Sequence, residues 1–180
     1  MVMTRAECLN QYGSDYYIRQ KLNAGELHRV GYGVFSEQEN VPEIAVMALK
    51  YPKAVVTMLS AFYHYGLTDT IPDKVDLATD RDAAKIANPR VRQFFMPKGF
   101  FIAGVTSDEE RGYTFRIYDR ERMLIELLRY KNKLPFDLYK EVLLNYRKIM
   151  RQLNTQKVQD YALAAPKTNM ILNALQMEVL

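Results

Sequence analysis

Apolar and polar positions in the first 36 residues follow the pattern of two short helices joined by a tight turn. Thr4 and Glu7 have the spacing of a capping box, which predicts a helix that begins at Thr4. Gly13 predicts the end of that helix, because glycine adopts a left-handed C-terminal conformation at low cost. Ser14 follows at once and predicts the N-cap of a second helix.

The second helix is followed by a segment with the character of a β-ribbon. The inner face of the second helix falls on Tyr17 or Ile18 together with Leu22, and Gly25 predicts the end of this helix. The range 27–35 is rich in β-branched and aromatic residues interrupted by glycines, which predicts a hairpin. Helix, turn, helix and ribbon is the plan of a winged helix-turn-helix, whose second helix enters the DNA major groove.

The rest of the chain predicts a larger α+β body. The polar segment 36–40 is typical of a linker, and we place the domain boundary there, with a minimal winged helix-turn-helix over 1–36 and a body over 37–180. Asp119 predicts the start of a helical C-terminus. The ranges that predict strands of a small mixed sheet are 54–57, 74–79, 88–96, 99–106 and 112–118, the last two joined as a hairpin.

Polar side chains of the second helix and the ribbon are candidates for DNA contacts. Arginine and glutamine suit the edges of guanine and adenine, and ribbon residues can reach phosphates or the minor groove. The alternative is a solvated helix face and a plain hairpin. The candidate DNA-binding residues are Ser14, Tyr16, Arg19, Gln20, Lys21, Arg29 and Tyr32.

The formal net charge of +4 is unevenly distributed. The segment 1–36 carries about +1, the segment 37–114 about −2, and the segment 115–180 about +5. The C-terminal excess predicts a basic face that is either only solvated or binds an acidic protein or a nucleic-acid backbone. The basic corner, our name for its candidate partner-binding residues, consists of Arg129, Lys131, Lys133, Arg147, Lys148 and Arg151.

Composition argues against several other classes of protein. The single cysteine, Cys8, excludes an internal disulfide and a cysteine-built metal site, as is usual in the cytoplasm. No stretch approaches the roughly 18 apolar residues of a membrane span. We therefore expect a cytoplasmic protein without a membrane partner.

No pattern of residues selects a catalytic or metal site. Ser60 and His64 are spaced as a nucleophile and base on one helix, but no acidic residue is placed to orient the histidine, which favours core packing. The acidic cluster formed by Asp73, Asp76, Asp80 and Asp82 is better explained as an Asp-rich turn than as a magnesium site. We expect no catalytic residue, metal or cofactor, and no enzyme activity.

Three motifs in order resemble one known family. They are "Tyr-Gly-Ser…Leu-x-x-Gly-x-Leu-x-Arg-Val-x-x-Gly-Val-Phe" over 12–35, "AVVTMLSAFYHYGLTDTIPDKVDLAT" over 54–79 and "IYDRERMLIELLRY" over 117–130. Together they resemble the AbiEi family of type IV antitoxins from bacterial abortive-infection systems. In the fuller winged-helix module another helix precedes the pair, whereas here only residues 1–3 precede Thr4.

The resemblance implies a function. It implies an antitoxin that antagonises a nucleotidyltransferase-like toxin encoded beside it, without requiring a stable complex, and that autoregulates its operon by binding operator DNA. The alternative is a solitary winged-helix transcriptional regulator. An enzyme is the least favoured class, because the chain has only two histidines and no phosphate-binding loop.

Overall fold

The computed structural model describes residues 1–179 and has an α+β architecture. The strands are β1 (Val2–Thr4), β2 (His28–Gly31), β3 (Val34–Ser36), β4 (Val55–Val56), β5 (Val75–Asp80), β6 (Val91–Met96), β7 (Val105–Glu110) and β8 (Tyr113–Tyr118). The α-helices are α1 (Arg5–Tyr12), α2 (Asp15–Asn23), α3 (Glu43–Lys50), α4 (Met58–His64), α5 (Arg120–Arg129), α6 (Phe136–Ile149), α7 (Thr155–Ala164) and α8 (Thr168–Ala174).

The predicted helix pair is present at the N-terminus. The Thr4 backbone N–H donates to Glu7 Oε2 at 2.6 Å and the Glu7 N–H donates to Thr4 Oγ1 at 3.3 Å, which completes the capping box. Gly13 ends α1 with φ of 84°, a conformation that strains any residue with a Cβ. Ser14 Oγ then accepts the Tyr17 N–H at the start of α2.

A strand that we did not predict completes the sheet beside these helices. β1 pairs with β3, which also pairs with β2, so the order is β1-β3-β2 and all pairs are antiparallel. Of the two alternatives for the inner face of α2, the structure selects Ile18, because Tyr17 is exposed. The core between the helices and the sheet consists of Met3, Cys8, Ile18, Leu27 and Phe35.

The compact units do not coincide with the predicted domains 1–36 and 37–180. The first unit comprises residues 1–54 and 107–116, and the second comprises 55–106 and 117–180. Helix α3 belongs to the first unit because it packs on β1, and Val46 comes so close to Gly31 that a Cβ there would lie 3.1 Å from it. The polar segment at 36–40 is therefore a connection inside the first unit.

The five-stranded sheet is mixed, as predicted, with the order β6-β5-β4-β8-β7. β5 pairs in parallel with β6 and antiparallel with β4, while β4 pairs in parallel with β8. The predicted strand over 99–106 is wrong, because this strand is β7 and begins only at Val105. The acidic residues Asp108, Glu109 and Glu110 belong to β7, and the turn that joins β7 to β8 is Arg111–Gly112.

The helical C-terminus begins at the predicted cap, where Asp119 Oδ1 accepts the Arg122 N–H at 2.8 Å. The apolar side chains of α5 are buried, and Arg122 and Glu126 are completely buried beside them. Gly104 makes this packing possible, because a Cβ at this residue would lie 2.5 Å from the Cβ of Arg122. After α8 the chain continues as a π-helical turn, Leu175–Val179.

Candidate functional site

The exposed face of α2 carries most of the candidate DNA-binding side chains. Tyr16, Arg19 and Gln20 are exposed, and Gln20 Nε2 donates to the Tyr16 hydroxyl at 2.9 Å. Among residues 1–179, the Arg19 side chain has neither an ion pair nor a hydrogen-bond partner. Arg19 is therefore the α2 cation that is available for a ligand.

The other cations near α2 are engaged by neighbouring carboxylates. Arg5 Nη2 lies 2.8 Å from Asp15 Oδ2, and the hydrogen bond from Arg5 lowers the pKa of Asp15. Lys21 Nζ lies 2.7 Å from Glu26 Oε2, and the hydrogen bond to Glu26 raises the pKa of Lys21. These exposed pairs contribute little to stability, but they reduce the positive field around α2. Lys21 is thus a weaker DNA-binding candidate than Arg19.

The hairpin of β2 and β3 presents the two ribbon candidates. Tyr32 is at its tip and is 89% exposed, with Lys50 Nζ 5.9 Å from the centre of its ring. The Arg29 guanidinium lies 5.7 Å from the centre of the Phe35 ring and is exposed. Ser14 differs from both, because its hydroxyl already caps α2. Tyr32 and Arg29 are therefore the accessible candidates of the ribbon, and Lys50 of α3 lies over the Tyr32 ring.

The basic corner is not one continuous surface of free cations. Arg129 is mostly buried, and its Nη1 donates to both carboxylate oxygens of Glu126 at 2.7 Å. Glu126 also accepts from Arg122 Nε at 2.9 Å. Arg129 is therefore part of an internal ion network and is not a freely exposed cation.

Two other members of the basic corner hold the C-terminal turn. Lys131 Nζ lies 2.5 Å from Glu178 Oε1, and Arg147 Nε donates to the Glu178 carbonyl at 2.7 Å. Burial raises the pKa of Glu178, but hydrogen bonds from Lys131 and Tyr139 outweigh it, so the net pKa is below its usual value. Lys131 and Arg147 thus position the π-helical turn.

The remaining cations of the basic corner are exposed. Lys133 lines a cavity of about 550 Å³ that also involves Arg129, Lys131 and Lys167. Lys148 lines a separate cavity of about 220 Å³, and its Nζ donates to Asn145 Oδ1 at 2.9 Å. Arg151 lies in the 3-10 turn Met150–Gln152 and is exposed. These three cations are the ones available for an acidic partner.

The acidic cluster contains one buried carboxyl group, Asp76. Its Oδ2 accepts the Leu59 N–H at 2.9 Å at the start of α4, while its Oδ1 has no hydrogen-bond partner and lies 3.5 Å from Arg92 Nη1. Ser60 Oγ accepts the Asp76 N–H at 2.9 Å, so this hydroxyl is used in packing α4 on β5. Within residues 1–179, no three His, Cys, Asp or Glu side chains are placed to hold a metal.

Asp76 makes the stability of the protein depend on pH. Burial raises the pKa of Asp76 from 3.8 to about 6, partly offset by Arg92. The folded chain binds the proton of the Asp76 carboxyl group more tightly than the unfolded chain does. Protonation of Asp76 therefore stabilises the fold fully below about pH 4, and this contribution is lost as the pH rises through about 6. Raising the pH from about 4 to about 7 should therefore lower the free energy of unfolding by on the order of 2 kcal/mol through the ionisation of Asp76.

Urea unfolding of the wild type and of Asp76→Asn at both pH values tests this expectation. The stability of the variant relative to the wild type should rise with pH, because asparagine does not ionise. A difference that is equal at both pH values would mean that Asp76 is not the titrating group.

Three features of the candidate sites were not predicted from the sequence. Tyr17 is exposed beside Tyr16, with ring centres 5.5 Å apart, and the spacing of Ile18 and Leu22 would have placed it outside. No periodic pattern of charged residues in the sequence links Lys167 to the basic corner. The pairing of Asp76 with Arg92 arises from the parallel register of β5 and β6, which a single sequence does not reveal.

No protein-family model matches the chain, and no curated protein matches it either. In residues 1–179, every helix is too short or too polar to cross a membrane.

Proposed function

We propose that this chain is a DNA-binding antitoxin of the AbiEi type, which antagonises a nucleotidyltransferase-like toxin and regulates its own operon. The main support for DNA binding is the exposed face of α2, where Arg19 and Gln20 lie beside Tyr16 and Tyr17. Arginine and glutamine form bidentate hydrogen bonds with base edges in the major groove. Helix α2 occupies the place of a recognition helix.

The ribbon supplies the second element of the proposed DNA interface. Tyr32 and Arg29 are exposed on the hairpin that follows α2, and Lys50 stands over the Tyr32 ring. Contacts from such groups to phosphates position a protein on the duplex without reading its sequence. We assign base recognition to α2 and backbone positioning to the ribbon.

The antitoxic part of the proposal rests on the ordered motifs over 54–79 and 117–130. They form the β4, α4 and β5 segment and the α5 helix of the second unit, far along the chain from α2. The exposed cations Lys133, Lys148 and Arg151 give this unit the means to attract an acidic surface of the toxin. We propose that these three cations contact the cognate toxin.

Two arginine variants separate base recognition from backbone contact. We expect Arg19→Ala to lower the affinity for the protein's own promoter by about 1–3 kcal/mol while affinity for unrelated DNA stays nearly unchanged. We expect Arg29→Ala to weaken binding to both DNAs and to reduce the salt slope by about 1. Electrophoretic mobility shifts at two salt concentrations measure both effects.

The matched control is Lys98→Ala, which removes one charge from a side chain outside the first unit that is 83% exposed. It should bind both DNAs as the wild type does. Absence of a shift with wild-type protein at low salt would refute the DNA-binding part of the proposal, and equal losses for both DNAs in Arg19→Ala would refute base recognition by α2.

A further inference from the structure

A third cavity, of about 650 Å³, lies in the second unit, and of the residues in the proposed DNA and toxin contacts only Lys133 lines it. Its walls are the start of α4, the strands β5 and β6, and the segment 133–138 before and within α6. Its volume is in the range of small-molecule sites, which are mostly apolar with a few placed polar groups. The apolar lining includes Leu59, Phe94, Leu134 and Leu138.

The polar group that marks this cavity is Asp76. Its side chain is 1% exposed, and its Oδ1 is the one buried side-chain oxygen or nitrogen in residues 1–179 that has no hydrogen-bond partner. Buried polar atoms are nearly always hydrogen-bonded, so an orphaned carboxylate oxygen in a cavity wall requires an explanation. Arg92 Nη1 lies 3.5 Å from this oxygen and forms an ion pair with it but no hydrogen bond, while Nη2 of the same guanidinium donates to Asp73 Oδ1 at 2.8 Å.

The charges around the cavity favour a cationic ligand. Asp73, Asp76 and Asp137 contribute three carboxylates, against the two cations Arg92 and Lys133. An anion would have to compete with Asp73 for Arg92, whereas a protonated donor group meets an excess of acceptors.

The cavity also favours a flat ligand body. Phe94 and Tyr130 meet edge to face with ring centres 5.7 Å apart and an angle of 80° between them. Both rings line the cavity, so an aromatic molecule has a wall against which to pack. A cation attached to that molecule gains further attraction from the ring faces.

We propose that this cavity binds a small flat molecule that carries a protonated amidine or amine. The ring of the ligand packs beside Phe94 and Tyr130, and its N–H group donates to Asp76 Oδ1, with Asp73 at the cavity mouth. This site is independent of the proposed DNA function, because neither α2 nor the ribbon contributes a residue to it.

Benzamidine, which combines a phenyl ring with an amidinium group, is the molecule with which to test the site. The full-length protein is titrated at about pH 7.5 with benzamidine and with benzoate, which has the same ring and the opposite charge, and binding is followed by NMR. We expect saturable shifts of the backbone amides of Asp76, Phe94 and Tyr130 with benzamidine and none with benzoate. Absence of saturable shifts at these residues, or equal binding of benzoate, would overturn the proposal.

Two matched variants test the role of the orphaned carboxylate. Asp76→Asn should weaken benzamidine binding about tenfold or more, because a charged hydrogen bond is lost. Asp82→Asn, at a 71% exposed side chain outside the cavity lining, should bind as the wild type does. Unchanged affinity in folded Asp76→Asn would overturn the assignment. Should that variant not fold, Phe94→Leu takes its place and must weaken benzamidine binding.

Discussion

Replacing Glu126 by leucine should lower the free energy of unfolding by about 3–5 kcal/mol, the usual cost of removing one partner from a buried ion pair. Glu126 is 0% exposed and accepts hydrogen bonds from Arg122 and from Arg129. Without this carboxylate, the Arg122 guanidinium keeps its hydrogen bonds to the Phe100 and Ala103 carbonyls but has no counter-charge. The loss of stability is large because the Arg122 charge in the interior is no longer compensated.

Urea unfolding of three variants identifies the cause of this loss. Glu126→Gln keeps the shape of the side chain and removes the charge, so it should also be strongly destabilised. The double variant Arg122→Met with Glu126→Leu should be more stable than Glu126→Leu alone, because the buried charge is removed together with its partner. A double variant as unstable as the single one would show that lost packing is responsible rather than charge.

Reversing the charge of Lys133, Lys148 and Arg151 together should abolish growth rescue in cells that express the proposed toxin. Of the exposed cations of the basic corner, these are the three that do not hold Glu178, and reversal turns attraction for an acidic partner into repulsion, which costs several kcal/mol. Lys131 and Arg147 are left unchanged, because they hold Glu178 and their reversal would disturb the C-terminal turn. Growth is compared at equal protein levels.

The matched control for that experiment reverses Arg81, Lys85 and Lys98, three exposed cations outside the basic corner. It changes the net charge by the same amount and should leave rescue intact. Full rescue by the reversed basic corner would show that its cations are only solvated, and loss of rescue in both variants would attribute the effect to net charge.

Local chemistry explains which elements were predictable from the sequence. The caps at Thr4, Ser14 and Asp119 act within one helical turn, so their spacing alone predicted the starts of α1, α2 and α5. The range 74–79 predicted a strand and is β5, whereas Asp76 was assigned to an Asp-rich turn and lies inside that strand. It is buried because α4 covers that face of the strand.

Features that depend on distant partners were missed. β1 has only three residues and exists because β3 offers it a free edge. The boundary at 36–40 was expected from polarity, yet α3 packs back on β1. Arg122 and Glu126 are charged residues that single-sequence reasoning places outside. Their pairing with each other, the Arg129 guanidinium and two backbone carbonyls allow their burial.

Growth rescue by the wild-type chain is the most direct measurement of the proposed antitoxic function. The proposed nucleotidyltransferase-like toxin is expressed from an inducible promoter, with or without this chain, and colony formation is counted. The proposal predicts that induction stops growth and that the full-length chain restores it. Arrested growth in the presence of folded, well-expressed protein would contradict the antitoxin assignment, whatever the outcome of the DNA-binding experiments.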